Sequence, residues 1–461
     1  MIDVLIAPGS GRTRPCPILT VRGDDLDTAL GDLAPAQRAW AGAHGFKAKA
    51  GEWLPLPGDD GKIAGILFGL GEAHQSDAFA AGKLARALPE GVYRFEGPLA
   101  KDWLACLAWQ LGAYAFDRYK KRDRKPARLA VAKGVDLAMV KRVAAGVYLT
   151  RDLVNTPSED MGPAELADAA RTLARSHKAR VRVIDGERLA REFPMIHAVG
   201  RASTRPPRLV DLEWGPARAP RVTLVGKGVC FDTGGLDIKP ASGMALMKKD
   251  MGGAAHVLGL ASMIMDAALP VRLRVLVPAV DNAIAGDAFR PGDVLRSRAG
   301  ISVEIGNTDA EGRLILADAL ALADEAAPEL LVDMATLTGA ARVALGPDLA
   351  PVYTDDDALA ADLAEHANAH KDPVWRMPLW SGYDSWLDSK IADVNHISSN
   401  GFAGSITAAL FLRRFVKQAK AYAHFDIFAW APKEKPTCPV GGEAQGIRAL
   451  YALLTARYGG G

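Results

Sequence analysis

Cysteine is scarce in this chain. Its 461 residues hold four (Cys16, Cys106, Cys230 and Cys438), none in a CxxC spacing. That argues for a reducing compartment rather than a disulfide framework. An excess of either charge is missing too: 56 basic residues against 54 acidic ones leave a net +2, so the whole-molecule field selects no polyanionic partner. The longest mostly apolar run, Trp103 to Phe116, is interrupted by Gln110 and too short to span a bilayer. The N-terminus has no basic n-region and too little apolar length for a signal peptide. Neither HExxH nor the full phosphate loop GxxxxGK(S/T) occurs, which excludes zincins and discounts a nucleotide reading of Lys227. There is no internal repeat or low-complexity block. These absences lead us to expect a cytoplasmic globular protein with no membrane partner.

The length suffices for two domains, and 49% apolar against 24% charged residues is ordinary for a soluble fold. Residues 1–125 alternate short apolar runs such as Ile63–Gly69 with Ala/Leu-rich helical stretches near 76–88 and 102–118, a small N-terminal α/β domain. The charged break Tyr119–Pro126 follows. A linker over 126–162 contains a bridging helix, about Val135 to Leu153, which ends before Asn155-Thr156-Pro157. Over 163–461 strands and helices alternate. Strands are expected at Val181–Ile184, Val222–Val225, Leu273–Pro278, Ser302–Ile305 and Leu330–Met334, and helices at Ala254–Ala268 and Leu314–Ala326. The fold class is therefore α/β, with a larger C-terminal domain built on a mostly parallel or mixed sheet covered by helices on both faces. Sites in such sheets form at the carboxyl ends of strands.

Every charged motif in the second half follows such a strand. In Asn307-Thr308-Asp309-Ala310-Glu311-Gly312-Arg313-Leu314, two carboxylates and a guanidinium alternate, so an extended segment would turn all three to one side. Upstream stand Lys227, Asp232, Lys239 and Asp250. Taken singly, these are ordinary features: a turn lysine, a helix cap at Asp250, an ion-paired surface segment. Gathered in one pocket, Asp232, Asp250, Asp309 and Glu311 would repel one another unless cations neutralised them, and two divalent ions balance four charges. Oxygen ligands suit Mn²⁺ or Mg²⁺, and Zn²⁺ accepts them. A lysine beside such ions either coordinates one as the neutral amine or stays protonated and stabilises an oxyanion. Lys227 and Lys239 could take one role each.

The runs Lys227-Gly228-x-x-Phe231-Asp232-Thr233-Gly234-Gly235, Ile238-Lys239-Pro240, Asp250-Met251-Gly252-Gly253-Ala254-Ala255 and Asn307–Leu314 closely resemble the leucyl (cytosol) aminopeptidase family, peptidase family M17. The resemblance covers the chain from about residue 150 onward. It implies a metallo-exopeptidase that removes apolar, leucine-like first residues from peptides with a free N-terminus. It implies two divalent ions per subunit, Mn²⁺ or Zn²⁺, with Asp232 and Glu311 bridging them. Lys227 and Asp250 would complete the tighter site and Asp309 the more exchangeable one. Lys239 would polarise the scissile carbonyl, and Arg313 would anchor a bicarbonate base. Met247, Asn307, Thr336, Leu337 and Gly339 would contact substrate, and the assembly would be a homohexamer, a dimer of trimers. The chain departs from the family pattern in Phe428-Ala429-Trp430, where Ala-Gly usually follows Asp426-Ile427, and in Ala444-Gln445-Gly446, where Ala-Thr-Gly is usual.

Two rival readings compete with this one. A two-metal phosphoesterase also uses an Asp/Glu cluster, but no Asn/His cluster common to such sites is present. The basic run Lys120–Lys125 could meet DNA, as in some bacterial relatives; isolated charge runs are usually solvated, so no nucleic-acid partner is expected. Cys230 reads as a small buried hydrophobe, and Trp375, Trp380 and Trp386 as core or subunit contact.

Overall fold

A computed structural model describes residues 2–460 except 11–13, 73, 75 and 76. By the contacts within it the chain forms two compact units: Met1–Tyr148 with Lys433–Val440, and Leu149–Pro432 with Gly441–Gly461.

The first unit is built on a six-stranded sheet in the order Leu5–Ile6, Arg128–Ala130, Val92–Glu96, Cys16–Val21, Ile63–Gly69, Trp53–Pro57. All neighbours run parallel except the last strand, which is antiparallel and closes one edge. The strand Arg128–Ala130 carries this unit past the charged break at 120–125. The apolar run read as one helix over 102–118 stops earlier. Asp102 caps it by accepting the Leu104 N–H, and it ends at Gly112. The stretch near 76–88, whose first residue lies outside those described, is a 3-10 turn over Ala78–Lys83 followed by the short helix Leu84–Ala87. The late segment 433–440 is tied into this unit. Arg86 donates to the Glu434 carboxylate at 2.9 Å and to the Lys435 carbonyl at 3.0 Å. A Cβ at Gly82 would lie 2.9 Å from the Pro436 carbonyl oxygen.

The second unit has a mixed sheet. Its four central strands, in the order Tyr422–Asp426, Leu330–Ala335, Arg221–Gly226 and Arg272–Asn282, are parallel. Antiparallel partners flank them, Ala350–Tyr353 on one side and Arg208–Trp214 on the other. Every residue of Leu330–Ala335 is buried, which requires cover on both faces of the sheet and explains why this strand reads as a continuous apolar run. The expected strand at Ser302–Ile305 forms only over Ser302–Glu304, and in a separate three-stranded sheet with Val294–Arg296 and Val394–Asn395. Asp393 fixes this short strand by accepting both the N–H and the hydroxyl of Ser302. Among the described residues no helix is long and apolar enough to cross a membrane.

The helix Gly252–Asp266 packs against the central strands so closely that its second residue must be glycine. A Cβ on Gly253 would overlap the Met334 carbonyl oxygen and lie 2.8 Å from the Lys227 nitrogen. Both are backbone atoms held in the sheet or its first bond beyond, since the Lys227 N–H donates to that same Met334 oxygen at 3.0 Å. Gly253→Ala is therefore expected to cost about 3 kcal/mol, the upper range for overpacking. Urea denaturation checks this, and a loss below about 1 kcal/mol would mean the helix simply slides.

Candidate metal centre

Three of the central parallel strands end on one side of the sheet, and the charged residues follow them. Lys227 comes directly after Arg221–Gly226. The next strand, Gly228–Asp232, runs along the far end of Arg272–Asn282 and sets Asp232 opposite Asn282. Gly234 and Gly235 then reverse the chain with φ of 89° and 66°, backbone angles that favour glycine, and the turn returns Lys239 to the same place. Its N–H donates to the Thr233 carbonyl at 2.9 Å.

The octapeptide does not lie extended. Thr308–Ala310 is a 3-10 turn and Glu311 opens the helix Glu311–Asp324. The reason is local: Asn307 caps the turn by accepting the Asp309 N–H at 2.7 Å, and Asp237 accepts the Thr308 N–H at 2.7 Å. Asp309 and Glu311 still converge, because a helix start brings both carboxylates to the strand ends. Single oxygens of Asp232, Asp309 and Glu311 all lie within 4.8 Å of one another. Asp250 joins from the opposite wall. It does not cap the helix after it, whose N-cap position is Met251 with no side-chain bond. Its carboxylate instead accepts the Thr336 hydroxyl at 2.8 Å and faces Lys227 at 2.6 Å.

Two ammonium groups thread this cluster. Lys227 lies 3.0 Å from Glu311, and Gly312 leaves room for its stem, since a Cβ there would overlap Cε. Lys239 lies 2.8 Å from Asp232 and also contacts Asp309. Asp250 Oδ2, Asp309 Oδ1 and Glu311 Oε1 are buried and accept no well-directed hydrogen bond; each meets only a lysine ammonium. Burial, reinforced by the neighbouring Asp232 and Asp250, pushes Glu311 up to about 8. Burial, with Asp250 adding to it, pushes Asp232 up to about 6. For Lys227 and Lys239 burial opposes the charge, but the surrounding carboxylates outweigh it and hold both above the usual lysine range. Asp250 is held low, because Lys227 and Lys249 overcome its burial. A buried anionic nest with orphaned oxygens and two trapped lysines is what divalent cations would relieve, so the donor set fits a metal.

The cluster forms the floor of a cavity of about 570 Å³. Lys227, Asp232, Lys239, Asp250, Asp309 and Arg313 line it, as do Met247, Thr336, Leu337 and Gly339. Glu311 is buried in the cluster behind that surface, at 1% exposure. Asn307 is not on the wall; beyond its cap, its carbonyl lies 2.9 Å from His396 Nε2. Arg313 reaches the cavity with its guanidinium buried. One Nη donates to the His396 carbonyl at 2.8 Å, while Nε is unpartnered. Burial lowers it only to about 10, so it stays cationic at neutral pH.

Residues 148–451 match the sequence model of the cytosol aminopeptidase family, catalytic domain, and residues 16–132 that of the M17 aminopeptidase N-terminal domain. The chain belongs to the cytosol aminopeptidase family. This M17 member is accordingly a peptidase, a hydrolase, with the two-domain mixed α/β architecture of that family. A probable cytosol aminopeptidase of Syntrophotalea carbinolica is 39% identical, over 95% of this chain and 96% of its own length. The crystal structure of the cytosol aminopeptidase from Coxiella burnetii superposes with a TM-score of 0.94 at 45% identity, over 99% of this chain and 100% of that one. The bottromycin maturation enzyme BotP, solved in complex with Mn, gives 0.86 at 33% identity over 96% and 99%.

Several residues of this M17 centre escape a reading of the sequence. Asn282 donates to Asp232 at 2.9 Å and to the Thr308 carbonyl at 3.1 Å, locking two carboxylate-bearing loops together. Its signal was available, as the polar end of an apolar strand at the carboxyl edge. Asp426 accepts the Leu337 and Thr338 N–H groups and the Thr338 hydroxyl at 2.6 Å, fixing the wall that carries Thr336. His256 is no ligand: its ring bonds the Gly252 carbonyl and the Gln445 N–H, and burial lowers it to about 4. Phe428, Lys249 and Arg342 also line the cavity; Phe428 stands at the departure from the family pattern, and nothing in the sequence marks the other two.

Proposed function

We propose that the chain is a two-metal aminopeptidase that removes the first residue from peptides with a free N-terminus. The observation carrying this is the buried cluster of Asp232, Asp250, Asp309 and Glu311, with three orphaned oxygens, at the floor of an open cavity. Lys227, Asp232, Asp250, Asp309 and Glu311 would hold two divalent ions. Mn²⁺ and Zn²⁺ both suit this donor set, and BotP carries Mn. Bound there, the ions would supply Lewis acidity for activating water and an anchor for the free α-amine.

The chain's own groups would do the rest. The Lys239 ammonium, 14% exposed at the cavity surface, donates to the scissile carbonyl oxygen and stabilises the negative charge that develops on it. Arg313, cationic, buried and with a free Nε, fits an anion such as bicarbonate, which would act as a base held beside the reacting atoms. Met247, Leu337 and the Thr336 methyl offer apolar surface for a leucine-like first side chain. Trp375 and Trp380 are not core; they are 59% and 56% exposed, which supports their use as contacts in a homohexamer. Sedimentation velocity tests that assembly.

The decisive experiment is hydrolysis of leucine p-nitroanilide before and after chelation, with Mn²⁺ or Zn²⁺ restored. Release that stops on chelation and returns with metal is expected; metal-independent release would contradict the reading. A second expectation follows from the raised carboxyls. In the metal-free chain Glu311, at about 8, holds a proton at pH 7. Metal loading must expel it, together with the ammonium proton of Lys227 where that amine is a ligand, so affinity rises with pH through neutrality. Calorimetry in two buffers of different ionisation enthalpy should show proton release on Mn²⁺ binding at pH 7. Equal heats in both buffers would contradict it.

A further inference from the structure

Among the described residues two cations lining the cavity, Lys249 and Arg342, form no side-chain hydrogen bond or ion pair. Lys249 stands next to Asp250 and is 5% exposed, yet its ammonium makes no hydrogen bond or ion pair among the described residues. The two carboxylates whose charge acts on it, Asp250 and Asp426, already face other groups. Asp250 is taken by Thr336 and Lys227, and Asp426 by Thr338 and Leu337. What the ammonium does touch is an aromatic face: Nζ lies 5.0 Å from the Phe428 ring centroid. Arg342 reaches the same ring, with its guanidinium carbon 4.9 Å from the centroid. Both cations and the ring line the cavity, along with Met247 and Thr336. Phe428 is held in place from behind, where the Gln445 side chain accepts the N–H groups of Phe428 and Ala429 at 3.0 and 2.9 Å.

A purely apolar specificity pocket would leave the Lys249 ammonium buried and unpaired, which is costly. A substrate side chain bearing a carboxylate would supply the missing acceptor. We propose that Lys249, assisted by Arg342, lets this pocket take an acidic first residue besides leucine-like ones, and makes it favour glutamate over its neutral isostere glutamine. The inference rests on the aminopeptidase reading and specifies which side chains that site prefers. Phe428 would hold the two cations apart and pack against the methylene stem of the substrate, while the stem's carboxylate reaches Lys249.

Glutamyl and glutaminyl p-nitroanilides test this, because they differ in charge and hardly in shape. Each is assayed alongside leucine p-nitroanilide with Mn²⁺-loaded enzyme. The wild type should favour glutamyl over glutaminyl in kcat/KM by about tenfold or more, as expected when a hydrogen bond to a charged group is gained. Lys249→Met should bring that ratio to about one, and Arg342→Gln should lower it by a smaller factor. A ratio at or below one in the wild type would overturn the proposal without any variant, and so would a ratio that Lys249→Met leaves intact. Leucine release without glutamyl preference would sink this inference alone. Absence of release from all three substrates would sink the aminopeptidase reading and this one with it.

Discussion

Glu311→Ala is expected to lower kcat/KM for leucine p-nitroanilide on the order of 10³-fold, the scale of losing metal-assisted charge stabilisation. The reason lies in where the carboxylate sits. It is 1% exposed, 3.0 Å from Lys227 and within reach of Asn282, and it shares the cluster with Asp232 and Asp309. Removing it takes away one of the oxygens proposed to hold the metal, and leaves Lys227 paired with Asp250 alone. Atomic absorption on the purified variant should show depleted metal. Stability should move differently. Without metal, burial disfavours the Glu311 charge and pushes its carboxyl up to about 8, so the metal-free variant should melt no lower than the metal-free wild type. A variant with full metal content and undiminished turnover would refute the assignment of Glu311 as a ligand.

Lys239→Ala should lower kcat by a factor on the order of 10² to 10³, the usual loss when one donor to a developing oxyanion is removed, yet leave metal content intact. Lys239 now neutralises Asp232 and Asp309. Its loss leaves those carboxylates more dependent on cations, so Mn²⁺ should bind at least as tightly as before. The pair of variants separates two duties that a single activity assay would merge. If Lys239→Ala instead lost metal in step with activity, its ammonium would be serving the ion sites rather than the substrate.

The sequence made much of this centre legible, and in one respect for the wrong reason. Alternation in the octapeptide suggested an extended strand with three groups on one side. The chain there is a capped turn entering a helix, and Asp309 and Glu311 meet because Asn307 and Asp237 fix that turn. The strands Arg221–Gly226, Arg272–Asn282 and Leu330–Ala335 were visible as apolar runs, since both of their faces are covered. The strands Ala350–Tyr353 and Tyr422–Asp426 were not, because runs of only four and five residues carry too little pattern to stand out. Asp250 taken alone suited a helix cap, and the family pattern made it a ligand; the structure turns its carboxylate to Thr336 and Lys227 instead of the helix end. Phe428 showed only as a departure from the family pattern, and Lys249 not at all. Their meeting depends on a loop some 180 residues away folding back onto the wall.

The segment Lys433–Val440 belongs to the first unit although it is made after nearly all of the second. In the order of synthesis this makes assembly non-sequential. The six-stranded sheet can pair as soon as Arg128–Ala130 emerges, but Arg86 and Gly82 must wait for Glu434 and Pro436. Domains that are contiguous can finish one at a time on the ribosome; here the first-made unit is completed almost last. A gene cut at the midpoint of the bridging helix would yield a first half that lacks its closing strap, so the two halves are not independently exchangeable modules.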